Sequence, residues 1–460
     1  MNSGMKREKV FESICKATRA NTLGLFIGSG FTKALFQDNP LQTAYTWSEL
    51  LALSCKELDV DSALLSQGKP YPEVASNICR DYAKKHGVSI AEAERELKFS
   101  IAKLVDISPS EKKITEYGIY FKRMSPNWIV TTNYDSMIEK ILKEKAFSIN
   151  PNDSYIKTKD FTPIYHIHGS RTDPCSIVVT NEDYTRTFRL SDYRHVRLPF
   201  LLKESTVLMV GYSLNDLNVL SAVDYSKNVY TNISSAYETP IIQLLHRSSP
   251  IEDPYIGENG IIIQEISDLS EFFSEYLSYE GKYRSQIGKR TNEVNRLVEK
   301  FNNADDAMIN KLIDDQNYRL EIIKSIRNVD YEFWYVYPGY TAFLNRALGI
   351  LWTRARTLYA FEQYEKILAL LLDIIENINY SRVPESFIDF LVDSFDELAP
   401  RIGNELGQSW KASELWDERK RDIPQDFCNE FLKRRKTSAK ANGLRLIDDL
   451  IGEKHALLAV

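Results

Sequence analysis

Apolar positions along this chain follow two rhythms, and the change from one to the other divides it. Residues 6–20 carry apolar side chains three and four apart, the spacing of an amphipathic helix. The run Asn21-Thr22-Leu23-Gly24-Leu25-Phe26-Ile27 then stops abruptly at Gly28-Ser29-Gly30. That pattern predicts a buried strand feeding a glycine turn and a helix. From Thr46 to Met124 the helical period returns, as in Trp47-Ser48-Glu49-Leu50-Leu51 and in 90–105, and reads as a helical insertion or lid. Strand runs follow at 128–132, 164–167, 176–180, 206–210, 240–245 and 260–264, with helical stretches at 136–142, 196–204 and 216–223. Residues 268–277 predict a closing helix.

Strands alternating with helices imply an α/β fold with a doubly wound, mainly parallel, Rossmann-like sheet. After residue 283 only the helical period remains, at 293–301, 307–326, 341–378, 385–398 and 427–451. Pro338-Gly339, Pro400 and Pro424 read as punctuation between helices. The expected organisation is an α/β domain over 1–283, with its insertion at 46–124, and an all-α C-terminal domain over 284–460. The join is expected near 281–289.

Composition narrows the classes of function. The 460 residues exceed one ordinary domain, and 43% hydrophobic with 27% charged residues suffices for a buried core. A formal net charge of −6 argues against a broad electrostatic grip on nucleic acid. Cysteines at 15, 55, 79, 175 and 428 form no close pair, so neither a disulfide framework nor a C-x-x-C zinc site is expected. The charged, amphipathic start does not read as a signal peptide, and no apolar run approaches the roughly 18 residues that span a bilayer. A soluble, cytoplasmic protein is expected, with no membrane association.

Four places gather polar chemistry at strand ends, where open α/β sheets bind ligands. Gly28, Ser29 and Gly30 could bring backbone N–H groups and a hydroxyl to a phosphate, or serve only a tight turn. In Thr131-Thr132-Asn133-Tyr134-Asp135, the Asn133 amide could hold a ribose hydroxyl or a water, and Asp135 could accept from an amide. Either could instead cap the helix that starts near Ser136. In Tyr165-His166-Ile167-His168-Gly169, strand alternation puts His166 and His168 on one face. A histidine there suits general-base work. Two could ligate a metal, but no Cys–His pattern completes a site, and no metal is expected. Finally, Val210-Gly211-Tyr212-Ser213 repeats the strand-then-small-turn logic, with Asn215 or Asp216 starting the next helix.

Taken in order, Gly28-Ser29-Gly30, Thr131-Thr132-Asn133-Tyr134-Asp135, His168-Gly169 and Gly211-Tyr212-Ser213 resemble the sirtuin family over residues 10–280. The counterparts there are G-A-G, T-Q-N-I-D, H-G and G-T-S. The resemblance implies that NAD is the ligand, as substrate. Gly28, Ser29 and Gly30 would face its pyrophosphate, and Asn133 would hold the nicotinamide ribose or a water. Asp135 would line the nicotinamide pocket, His168 would be the base, and Ser213 would contact the adenosine side. Thr132 and Gly211 complete the implied substrate-binding set.

Two departures bear on the activity. The paired C-x-x-C zinc module of sirtuin deacylases is missing, and Phe31-Thr32-Lys33-Ala34 stands where they carry G-I-P-D-F-R. Thr46-Trp47-Ser48-Glu49-Leu50, with T-T-N-Y-D and G-Y-S-L-x-D, looks like the bacterial sirtuin-like NAD hydrolases of antiphage defence. That resemblance implies cleavage of the nicotinamide–ribose bond in an abortive-infection effector, with Asn133 and His168 catalytic. It further implies a homo-oligomer, with a HerA-type ATPase or a phage-derived trigger as candidate partner of the helical domain. The rival readings are a protein deacylase or ADP-ribosyltransferase, and a non-catalytic NAD or ADP-ribose sensor.

Overall fold

Eight strands, β1 (Leu23–Ile27), β2 (Trp128–Thr131), β3 (Ala146–Ile149), β4 (Thr162–His166), β5 (Thr206–Val210), β6 (Ile241–His246), β7 (Tyr255–Ile256) and β8 (Ile262–Ile266), form one sheet in the order β3-β4-β2-β1-β5-β6-β8-β7. Every pairing is parallel except β7 with β8. The computed structural model describes residues 5–37, 44–61, 68–151, 153, 160–187, 193–212, 217–228, 240–257, 260–357, 360–435 and 442–458.

β1, β2 and β5 are buried at every position, as expected of parallel strands covered on both faces. Chain order reverses at β1, with β2 on one side and β5 on the other. Such a reversal opens a crevice at the carboxyl ends of the strands, where ligands of doubly wound sheets bind.

The helices of the first part are α1 (Arg7–Ala20), α2 (Ser29–Leu35), α3 (Trp47–Glu57), α4 (Tyr71–His86), α5 (Ile90–Leu104), α6 (Glu111–Met124), α7 (Met137–Leu142), α8 (Asn181–Thr187), α9 (Tyr193–Glu204), α10 (Leu217–Asn228) and α11 (Leu269–Asn302). The expected insertion is helical, but its parts do different work. α3, α4 and α5 build a core of their own around Leu51, Ile78 and Leu97. α6 packs Tyr117 edge-on against Phe31 and Phe273, so it is the crossover helix from β1 to β2.

Residues 176–180, read above as a strand, make none. Ile177 and Val179 are buried, but they join the core of α3–α5 rather than a ladder. Their apolar run came from burial beneath helices, a case in which a short run cannot distinguish a strand.

The chain divides into two compact units, Met1–Arg284 and Ser285–Val460. Residues 281–289 are not a linker but lie inside the 34-residue α11. The second unit continues with α12 (Asp306–Asp314), α13 (Gln316–Ile326), α14 (Val336–Thr357), α15 (Ala360–Asn377), α16 (Glu385–Leu398), α17 (Trp410–Arg419), α18 (Gln425–Arg435) and α19 (Leu444–Leu458). Pro338 does not separate helices. It sits in the first turn of α14, where a missing N–H breaks no bond. Aliphatic and aromatic side chains fill this core, and charged groups are buried with them, Asp373 most deeply. Asp373, fully buried, accepts from Arg319 Nε at 2.6 Å and from Arg419 Nη2 at 2.8 Å. No helix among the described residues is long and apolar enough to cross a membrane.

Candidate active site

The parallel strands deliver the ends of β1, β2, β4 and β5 to one edge of the sheet, and a cavity of about 610 Å³ opens there. Ser29 and Thr32 line it from the start of α2, and Thr132, Asn133, Tyr134 and Asp135 from the end of β2. His168 enters from the end of β4, and Gly211 and Tyr212 from the end of β5. The volume is in the range of small-molecule and cofactor sites.

Three glycines let the β1 and β5 ends touch. The Gly28 N–H donates to the Val210 carbonyl and the Gly30 N–H to the Gly211 carbonyl, both at 2.9 Å. Gly211 has φ +65°, and a Cβ there would lie 2.0 Å from the Phe31 nitrogen. The expectation that Gly28 and Gly30 offer their amides to a pyrophosphate therefore needs revising. The Gly28 amide is already spent on the last residue of β5 and the Gly30 amide on the residue after it, and neither glycine lines the cavity. Their missing side chains serve close approach. Ser29 does line it.

The segment after β2 is tied down at several points. Thr131 Oγ1 donates to the Ile27 carbonyl at 2.9 Å and accepts from the Asn133 N–H at 3.1 Å. The Asn133 side chain, buried in the wall, donates from Nδ2 to Thr32 Oγ1 at 3.1 Å. That hydroxyl donates to Asp135 Oδ2 at 2.8 Å. Asp135 Oδ1 accepts from the Met137 N–H at 3.0 Å, which satisfies the first amide of α7, whose N-cap position is Ser136. Burial pushes the Asp135 carboxyl above the ordinary value, against the bonds from Met137 and Thr32 and the nearby His166.

β4 ends at His166, and the chain turns at once, with the Gly169 N–H donating to the His166 carbonyl at 3.0 Å. The alternation that grouped the two histidines does not continue past the strand end. The His168 ring reaches the cavity wall and meets Tyr184 edge-on at 5.5 Å. The His166 ring is bonded elsewhere, to the Asn133 carbonyl at 3.2 Å and Glu139 Oε1 at 2.7 Å. Ser213, Asn215 and Asp216 lie outside the described residues.

Residues 127–258 match the family model described as a SIR2-like domain. The match takes in Asn133, His168 and Gly211, while the Gly28–Gly30 turn precedes it. The chain is also similar to proteins named NAD(+) hydrolase ThsA. With the one from Enterococcus faecium it shares 22% identity over 332 residues, 70% of this chain and 59% of that protein. With the one from Bacillus cereus (strain MSX-D12) it shares 25% over 229 residues, 46% and 44% of the two. Each alignment therefore covers less than two thirds of the relative.

Several walls of the cavity carry no mark in the sequence. Thr32 was quoted only as a departure from a family motif. Trp47 and Tyr71 come from the α3–α5 layer, stacked at 6.0 Å and 18°, and Trp47 also meets Tyr134 edge-on at 6.2 Å. Thr46 and Glu49 form a capping box that starts α3 and presents Trp47 and Leu50 to the cavity. Asn181 and Tyr184 of α8 close another side, and α8 is anchored to α5 by the buried pair Asp183–Lys98 at 2.7 Å. The T-W-x-x-L pattern was the one signal that could have flagged Trp47.

Proposed function

We propose that this chain hydrolyses NAD at the nicotinamide–ribose bond, in the cavity at the carboxyl edge of its SIR2-like domain. One observation carries the reading: the Asn133 carboxamide and the His168 imidazole, from different strand ends, line the same cavity. Similarity to proteins named NAD(+) hydrolases supports it.

Cleavage passes through an oxocarbenium-like ribose, and nicotinamide leaves neutral, so the chain need supply no strong acid. What it supplies is position. Asn133 has its donor end held by Thr32, which leaves the amide oxygen to accept from a ribose hydroxyl or the attacking water. Both Asp135 oxygens keep a lone pair after their bonds to Met137 and Thr32, and one can accept from the nicotinamide carboxamide. His168 takes the proton from the ribose hydroxyl or the water. Ser29, Thr132 and Gly211 contribute to holding the remainder of the dinucleotide.

Membership of an antiphage, abortive-infection system belongs to the same proposal. So does a role in assembly or sensing for the helical unit, in a homo-oligomer or with a HerA-type ATPase or phage trigger. The test is free nicotinamide released from NAD by the full-length chain, beside Asn133→Ala and His168→Ala, with NAD binding followed by thermal shift. Release that both substitutions abolish supports the reading. NAD binding with release unaffected by either substitution sinks the roles assigned to the two residues, and absence of both binding and release sinks the reading.

A further inference from the structure

We propose that His166 is a positioning residue, kept as an imidazolium by Glu139 so that its second N–H fixes the Asn133 backbone carbonyl. The inference rests on the reading of Asn133 given above.

His166 is 1% exposed at the end of β4. Its Nε2 lies 2.7 Å from Glu139 Oε1 on α7, and its Nδ1 3.2 Å from the Asn133 carbonyl oxygen. A carbonyl oxygen only accepts, and so does an ionised carboxylate. A neutral imidazole carries one N–H and can satisfy one of the two partners; satisfying both takes a proton on each nitrogen. The remaining option puts the extra proton on Glu139. Against it, the same Oε1 already accepts the Ser148 hydroxyl of β3 at 2.5 Å, which suits an ionised oxygen. Asp135 also lies near the ring, and its carboxylate favours the cation.

The consequence falls on Asn133. Its peptide is held at the nitrogen by Thr131 and at the oxygen by His166, while its side chain is held by Thr32. When the imidazolium loses its Nδ1 proton, a lone pair faces the carbonyl oxygen and repels it. The loop that aims the carboxamide then loosens, and turnover suffers before binding does, because alignment of the reacting groups is what is lost.

Two measurements on the full-length protein test this. The first is NMR of the chain labelled with 15N-histidine, with the His166 signals assigned by their loss in His166→Gln among the six histidines of the sequence. At pH 7 both His166 nitrogens are expected to show imidazolium-type shifts, and Glu139→Gln is expected to return one of them to an unprotonated type. A neutral-imidazole pattern in the wild type overturns the proposal, whether or not the protein turns over NAD. The second is the pH profile of nicotinamide release. In Glu139→Gln the alkaline fall of kcat is expected to move to lower pH by about one unit or more, the size of effect an adjacent opposite charge has, with little change in KM. Superimposable profiles overturn the positioning role. Equal release by wild type and His168→Ala instead sinks the role given to His168, absence of both NAD binding and release sinks the hydrolase reading, and either leaves the NMR result to judge the imidazolium.

Discussion

The Asn133 amide nitrogen donates to the Thr32 hydroxyl at 3.1 Å, and that hydroxyl donates onward to Asp135 at 2.8 Å. The two ends of a carboxamide have nearly the same shape, so packing alone does not choose which faces the cavity. A hydrogen bond does. Thr32 lies on α2 and the two residues it bridges lie just after β2, so a single hydroxyl aligns groups a hundred residues away in sequence.

Thr32→Val keeps the shape and removes the bridge. Hydrogen bonds to charged groups are worth about 1.5–3 kcal/mol, so nicotinamide release should fall about 10- to 100-fold in kcat. Thr32→Ser should retain most of it. Steady-state kinetics of the two variants side by side are the check, and equal rates for both would remove Thr32 from the site's machinery.

Asp135 should act as a source of instability that function requires. Burial raises its pKa in the folded state. A raised carboxyl pKa contributes stability in full below the unfolded value, and that contribution is lost as pH rises through the folded one. Asp135→Asn keeps an acceptor for Met137 and escapes this loss. The variant should therefore melt higher than wild type at pH 7, with the gap closing toward pH ~4, near the ordinary Asp value, while nicotinamide release drops. Melting curves across that range decide it.

Gly211→Ala should damage the fold at the site itself. Its φ of +65° disfavours any side chain, and the new Cβ would meet backbone atoms of Gly30 and Phe31 that cannot turn aside. Left-handed strain alone costs about 1–2 kcal/mol, and the clash adds to it. Urea unfolding should show a loss of more than that strain, because the β1 and β5 ends must separate.

Lys98→Met tests how the α8 wall is held. Lys98 and Asp183 pair at 2.7 Å with both side chains under a tenth exposed, and Asp183 also accepts from the Val179 and Thr180 N–H groups. Removing one partner of a buried pair costs about 3–5 kcal/mol. The variant should unfold at lower denaturant, and KM for NAD should rise more than kcat falls, since Tyr184 and Asn181 line the cavity from α8.

The sequence by itself determined the elements: buried strands ending in small or polar residues, amphipathic helices, and an all-helical second part. Those are local periodicities, written in consecutive side chains. It also marked Asn133, His168 and Gly211, because residues at strand ends in a parallel sheet share one edge. The short edge strands β3 and β7, the fate of 176–180 and the continuous α11 escaped it, since pairing partners and neighbouring layers decide them. The same holds for the contacts that tune the cavity. Thr32, Glu139, Trp47 and Tyr184 lie on four different helices, and no spacing along the chain records which residues each of them touches; only the packing of the sheet and its helices decides it.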